Sequence, residues 1–245
     1  MTISVCMATY QGERYIERQL RSILDQLGAS DEVIVVDDCS RDRTVERVKS
    51  LQDSRIKVFQ NDRNCREVYS FGRAIGIAKG DIIFLSDQDD VWLPGRVQLM
   101  VNELRRSNAA LITSNFEWMD ESERPLDVTF DGVSAMASKR HIRNIIDIFI
   151  GKTNYFGCAM AFRRELVPMI LPMPSYVESH DLWIALAANQ LGSNLHIDDK
   201  TLRKRRHGNN ATSTVSNRPL FRKLWSRLIF ARSMIDLSIR RLIKS

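Results

Sequence analysis

The sequence predicts an α/β fold, a mostly parallel sheet flanked by helices, with a basic amphipathic helix at its C-terminal end. Short apolar runs alternate with helix-length amphipathic segments from Ile3 to Leu85, which is the pattern of parallel strands joined by crossover helices. Three of these runs end in polar residues: Thr9-Tyr10, Asp37-Asp38 and Asp87 to Asp90. Ligands in such sheets lie beyond the carboxyl ends of the strands, so the three endings predict one binding rim.

Ile3 to Met7 is a compact β run. Tyr15 to Leu27 then places Ile16, Leu20, Ile23, Leu24 and Leu27 on one helical face and stops at Gly28. Glu32 to Val36 is the second strand, and a second helix is expected near Asp42, with that residue as N-cap and Val45 and Val48 on its inner face. A strand over Ile56 to Phe59, a helix from about Val68 to Lys79 and a strand over Asp81 to Leu85 complete the alternation. Further on, Phe156 to Phe162 reads as a strand with a glycine at its entrance. Asp181 to Leu191 spaces Leu182, Ile184, Ala185, Ala188 and Leu191 as one apolar helix face. Pro172 and Pro174 mark a loop between the two, and no pattern emerges around Phe116 to Ile150.

A length of 245 residues suffices for a sizeable core, and 44% hydrophobic with 27% charged residues reads as globular. The four cysteines have no CxxC spacing and are expected as buried free thiols, without zinc or disulfides. No apolar run reaches the ~18 residues of a membrane-spanning helix, and the opening residues show no cationic leader, so the chain is expected in the cytoplasm. The net charge of +6 is unevenly placed. From Asn217 to Ser245 eight basic residues face the single acid Asp236, a local +7, and everything before sums to −1. The excess therefore points to an anionic surface met by the tail, not to nucleic acid bound by the body.

The run from Asp81 to Asp90 crowds three carboxylates into four positions at a strand end. A hard divalent cation such as Mg²⁺ or Mn²⁺ relieves that repulsion and shares its oxygen ligands with substrate phosphates; a solvated acidic turn is the bland alternative. No GxGxxG follows the first strand and no GxxxxGK[ST] occurs anywhere, so dinucleotide and P-loop sites are disfavoured, and phosphates must be held by metal and side chains.

Three blocks in order, Val5 to Gly12, Val35 to Ser40 and Gly80 to Trp92, resemble the opening of family 2 glycosyltransferases of the GT-A fold, nearest to bacterial rhamnosyltransferase-like members. The likeness runs from Met1 to about Ser213. It implies a nucleoside pocket lined by Thr9, Tyr10 and Asp38, a nucleotide-binding arginine at Arg73, and an Asp-x-Asp motif at Asp87-Gln88-Asp89. Asp87 then lies near ribose and metal, and Asp89 is the main ligand of a Mn²⁺ or Mg²⁺ ion. Two positions depart from the family pattern: Ala74 stands where the family commonly has Asn, and Cys39, in the turn after the second strand, where a glycine is common.

His180-Asp181 sits where a loop becomes a helix. Read alone, Asp181 caps that helix; the resemblance instead implies that it is the general base, with His180 and Gly157 on the acceptor side. Arg203 to Asn210 fits a polyanion-binding patch or a solvated loop. It also resembles the family segment in which a histidine completes the metal site, here His207, with Arg205 matching the family arginine and Lys204 replacing a tyrosine. His141 and His196 have no such context.

The resemblance divides the chain into a glycosyltransferase domain over 1–216, with a nucleotide-sugar half to 115 and an acceptor half after it, and the helix over 217–245. In that helix Leu220, Leu224, Leu228, Ala231, Ile235, Ile239 and Leu242 recur at helical spacing, flanked by Phe221, Trp225 and the basic residues. Such a helix lies in an anionic membrane interface or packs on the domain or a second subunit. The implied activity is metal-dependent, inverting transfer of a sugar from a nucleotide-diphosphate donor, a rhamnosyl donor among the options, to a glycan or lipid-linked acceptor at the inner membrane face. A nucleotidyltransferase needs a basic glycine-rich opening loop, which Ala8 to Glu13 lacks. A non-catalytic scaffold with the same pocket remains a rival.

Overall fold

In a computed structural model the chain is described over residues 1–128, 132–152, 155–207 and 220–244. Its elements run β1 (Ile3–Thr9), α1 (Ile16–Leu24), β2 (Glu32–Asp37), α2 (Thr44–Ser50), β3 (Ile56–Gln60), α3 (Arg66–Ile77), β4 (Ile82–Ser86), β5 (Val91–Trp92) and α4 (Arg96–Ser107). They continue with β6 (Leu111–Met119), α5 (His141–Ile150), β7 (Met160–Arg163), α6 (Val167–Ile170), α7 (His180–Gln190), β8 (Asn194–Arg205) and α8 (Leu220–Lys244). One sheet has the order β3-β2-β1-β4-β7-β6-β8-β5.

β1 and β2 read as unbroken apolar runs because both faces of the sheet are covered. Side-chain alternation divides them between two layers. Val5, Met7, Val33, Val35, Ile82 and Phe84 pack with Leu20 and Ile23 of α1 and with Met100 and Leu104 of α4. Cys6, Ile34, Val36, Ile83 and Leu85 pack on the other face with Phe71 and Ile75 of α3 and with Trp183 and Ile184 of α7.

β3, β2, β1 and β4 are mutually parallel, as the alternation predicts. Thr9 pairs with Asp37, Asp37 with Gln60 and Met7 with Ser86, so three strand ends and the Asp87 to Asp90 turn share one rim. Beyond β4 the sheet is mixed: β7 is antiparallel to β4 and β6, β6 is parallel to β8, and β5 is antiparallel to β8.

Several local expectations shift. α2 starts at Thr44, near Asp42 as expected, but its N-cap is Arg43; the Asp42 carboxylate accepts the Thr44 and Glu13 amides just ahead of the helix. α1 ends at Leu24, short of Leu27. Phe156 to Phe162 is a 3₁₀ turn, Gly157–Ala159, leading into β7, and α7 is buried on nearly every side where a single apolar face was expected. The stretch without sequence pattern holds the end of β6 and all of α5. All four cysteines are free, but Cys39 and Cys65 are only half-buried.

α8 docks against α5, α6 and α7. Ser226, Ser233 and Leu237 face inward, with Ser226 Oγ donating to Glu178 Oε2 at 2.8 Å. Arg240 donates to the carbonyls of Met169 and Pro172, and Arg241 to that of Gln190. The apolar stripe is turned away from the body: Phe221, Leu224, Trp225, Leu228, Ile235, Ile239, Leu242 and Ile243 are 49–78% exposed. No helix among the described residues is long and apolar enough to cross a membrane. The expected boundary at 216/217 lies outside the described residues.

Candidate active site

The first and third sequence blocks interlock at the rim. Gln88 accepts the Tyr10 amide and donates to the Tyr10 carbonyl, both at 2.9 Å, so the middle residue of Asp87-Gln88-Asp89 clasps the end of β1. Gly12 makes room for this clasp, because a Cβ there would lie 2.3 Å from Gln88 Oε1. Thr9 is buried and its hydroxyl donates to Asp37 Oδ1 at 3.0 Å, whereas the Tyr10 side chain is exposed. Cys39 adopts φ +66°, the left-handed conformation that glycine takes most easily, and the turn forms nonetheless.

Asp38 is buried and fully engaged: its carboxylate accepts from Asn61 Nδ2 and from the Cys65 and Arg66 amides at 2.7–2.8 Å. It thereby ties the end of β2 to the start of α3. Arg73 donates to Asn61 Oδ1 at 2.6 Å and to the Gln60 carbonyl at 2.8 Å. Arg73, Asn61 and Tyr69 line an open cavity of about 910 Å³ beside the strand ends.

The carboxylates divide into two groups. Asp89 Oδ2 lies 2.7 Å from His207 Nε2, both side chains 13% exposed. Asp87 and Asp90 instead meet Lys204, whose Nζ is 2.8 Å from Asp87 Oδ2 and 3.7 Å from Asp90 Oδ2. Burial opposes ionisation of Asp87, but the Lys204 ammonium outweighs it and holds the carboxyl below its ordinary range. Burial pushes the Asp90 carboxyl up to about 7; Asp89 and Asp87 add to this and Lys204 opposes it. Arg205 is buried, donating its amide to Asp90 Oδ1 and its Nε–H to the Asp89 carbonyl. Lys204 and Arg205 are thus parts of β8 built around the acidic turn, and neither a solvated loop nor an open basic patch.

The donors fit a divalent cation. The carboxylate oxygen suits Mg²⁺ or Mn²⁺ and the imidazole nitrogen is a ligand for divalent transition metals; in the structure the two meet each other in a hydrogen bond of 2.7 Å.

On the opposite wall, Ser179 and not Asp181 is the N-cap of α7, its hydroxyl accepting the Leu182 amide. Asp181 sits in the first turn, with Oδ1 accepting the Leu182 amide at 2.8 Å and the Ser179 hydroxyl; Oδ2 is 3.4 Å from the Gly157 amide. His180 is buried and stacked on Phe71, ring centroids 4.0 Å apart, and neither ring nitrogen has a hydrogen-bond partner among the described residues. A Cβ on Gly157 would come within 2.6 Å of His180 Nε2. The Gly157–Ala159 turn joins the two walls: Gly157 touches Asp181, and Cys158 Sγ lies within 4.8 Å of the Asp87 and Asp90 carboxylates. The sequence reading missed Gln88, Lys204, Cys158 and Ser179 as parts of this site. The departure of Lys204 from the family tyrosine was one available signal, and a serine two residues before Asp181 was another.

The model of the family described as glycosyl transferase family 2 matches residues 4–170, more than half of the chain. The chain belongs to glycosyl transferase family 2. It is 30% identical over 115 residues to the UDP-Glc:alpha-D-GlcNAc-diphosphoundecaprenol beta-1,3-glucosyltransferase WfgD of Escherichia coli, covering 47% of this chain and 46% of that one. Solved structures share the GT-A fold. TarS of S. aureus with UDP-GlcNAc superimposes with TM-score 0.69 at 17% identity, covering 100% of this chain and 74% of that one. The mannosyltransferase PcManGT of Pyrobaculum calidifontis with GDP-Man and Mn²⁺ gives TM-score 0.63 at 16% identity, covering 97% and 73%. The chain spans about half the length of the first curated relatives it matches, 54% and 46%.

Proposed function

We propose that this family 2 chain catalyses metal-dependent, inverting transfer of a sugar from a nucleotide-diphosphate donor to a hydroxyl of a glycan or lipid-linked acceptor, in the synthesis of a surface polysaccharide. The observation that supports the reading is the Gly157-Cys158 turn, whose Gly157 amide meets Asp181 of α7 and whose Cys158 thiol lies beside the Asp87 and Asp90 carboxylates that follow β4. Asp89 and His207 would hold the cation. A divalent ion there supplies positive charge for the diphosphate as it leaves.

The remaining steps belong to the chain's own side chains. Thr9, Tyr10, Asp38 and Arg73 form the nucleoside end, Asp38 by ordering the 61–66 loop and Arg73 by lining the cavity with Asn61. Asp181 Oδ2 removes the proton from the acceptor hydroxyl. A positioned carboxylate of this kind contributes about 10²- to 10⁴-fold. Gly157, with no side chain, makes room for the buried His180 ring beside Asp181, and a single displacement inverts the anomeric carbon. The donors bound by the structural neighbours, UDP-GlcNAc and GDP-Man, support a nucleotide-sugar; a rhamnosyl donor rests on sequence likeness alone. The proposed domain limits of 1–216 and 217–245 follow the sequence alone, since α8 packs on α5, α6 and α7 and its Leu237 joins the core.

The outward stripe of α8 and the local +7 support a peripheral position on an anionic membrane, where a lipid-linked acceptor is met. The full chain is expected to co-sediment with anionic vesicles at low salt, and Leu228→Glu with Ile235→Glu to abolish this without unfolding, since both side chains are exposed. Indifference of the full chain to such vesicles would make the stripe a protein interface. The activity itself is tested by incubating the purified protein with a panel of nucleotide-sugars. Metal-dependent release of nucleoside diphosphate is expected with one donor, and nucleotide binding without any turnover would favour the scaffold reading.

A further inference from the structure

Among the described residues, Asp87, Asp90 and Cys158 present two carboxylate oxygens and a thiol sulfur within 4.8 Å of one another, the spacing of ligands around one cation. The gap is filled by the protein itself. Lys204 Nζ lies 2.8 Å from Asp87 Oδ2, 3.7 Å from Asp90 Oδ2 and 3.5 Å from Cys158 Sγ. Lys204 is 6% exposed and Asp90 is 1% exposed, and Asp90 Oδ2 has no hydrogen-bond partner among the described residues, so the ammonium is the nearby charge that offsets its burial. Buried carboxylates without such compensation are costly. Asp87 is the partly exposed member, its side chain 32% exposed. The neighbouring Asp89 is turned to His207 and makes no contact with this lysine at salt-bridge distance.

We propose that Lys204 is a positioning residue whose ammonium serves as a tethered cation: it occupies the gap between Asp87, Asp90 and Cys158, fixes Asp87 at the donor cleft, and leaves Asp89 with His207 as the pair open to an exchangeable ion. The proposal rests on the metal-dependent reading above and adds to it that one of the two positive charges at the acidic turn is covalent. β8 supplies both halves of the arrangement, Lys204 within the strand and His207 just beyond its end.

Removing the ammonium while opening space should turn the gap into a metal site. Lys204→Ala is expected to bind one more divalent ion per chain than wild type in calorimetry without nucleotide. Cd²⁺ or Zn²⁺ should be preferred over Mg²⁺, because a thiol is among the ligands. Its melting temperature should rise with Cd²⁺ at concentrations that leave wild type unmoved, and adding Cys158→Ala should cancel that rise. Lys204→Met, which removes the charge but keeps the volume, should not gain the ion. Both variants should raise the donor KM about tenfold or more while kcat changes less. Equal loss of stability in Lys204→Ala and Lys204→Met with no response to any cation would show a structural ion pair and overturn the proposal. If Lys204→Ala does not fold, the wild-type protein still decides: a second divalent ion bound per chain and lost in Cys158→Ala would mean that the ammonium does not hold the gap, whereas a single ion insensitive to Cys158→Ala is the expected result. Failure of every nucleotide-sugar to bind or react would sink the transferase reading while leaving the ion counts interpretable by themselves.

Discussion

Asp181→Asn separates catalysis from helix capping, because the capping role belongs to Ser179. The Asn Oδ1 can still accept the Leu182 amide, now accepted at 2.8 Å, and the Ser179 hydroxyl. What the fold loses is a negative charge in the first turn of α7, worth about 0.3–1 kcal/mol against the helix dipole. What the reaction loses is the acceptor of the hydroxyl proton. A general base contributes about 10²- to 10⁴-fold, or about 3–5.5 kcal/mol of barrier at 1.36 kcal/mol per decade. Steady-state kinetics should therefore show kcat down by at least two orders of magnitude, donor KM within a few-fold of wild type, and a melting temperature lowered by a few degrees at most. Turnover retained with stability lost would refute the base assignment, as would a fall in kcat matched by an equal fall in donor affinity.

Gly157→Ala should place a Cβ 2.6 Å from His180 Nε2, and the ring cannot retreat because it stacks on Phe71; a loss of about 1–3 kcal/mol is expected, restored in part by adding His180→Ala, as a double-mutant cycle in thermal melts would show. Gly12→Ala should displace Gln88 from the Tyr10 backbone and raise the donor KM, with no change in KM arguing against the clasp. His196 is held neutral by burial, which lowers its pKa to about 4, although its contact with the Ser134 carbonyl opposes this. The unfolded chain takes up a proton that the native state refuses, so stability should fall by about 3 kcal/mol as pH drops from 6.5 to 4. Denaturant melts of His196→Gln over that range should lack this slope; an unchanged slope would assign it to other groups.

The sheet's first half was legible because its strands are short, mostly apolar runs bounded by amphipathic helices, and because polar residues close three of those strands at the rim. The second half was not. β6 pairs with β7 and β8, so its partners lie far along the chain and impose no short-range period. α5 carries exposed isoleucines at 142, 146 and 150, which blurs the inner face marked by Asn144 and Ile148. The spacing of α8 revealed a stripe but not its direction. Small residues on the other face, Ser226 and Ser233, allow close docking, and arginine contacts to carbonyls hold it there. Of the site, the pairing of Asp89 with His207 was readable from family likeness, whereas the capture of Asp87 and Asp90 by Lys204 depends on a strand register that no local pattern encodes. The capping question at Asp181 could have been weighed from sequence, since Ser179 stands two residues earlier and serine is among the preferred N-caps.

The central claim is that Asp89 and His207 bind the cation that holds the donor diphosphate. Calorimetric titration of nucleoside diphosphates into the protein, with and without Mn²⁺, tests it most directly. Mn²⁺ should strengthen binding of the cognate nucleotide in wild type by tenfold or more. In Asp89→Ala that gain should vanish while the melting temperature and the metal-free affinity stay near wild type. An Asp89→Ala protein whose nucleotide affinity still responds fully to Mn²⁺ would remove Asp89 from the site and contradict the proposal.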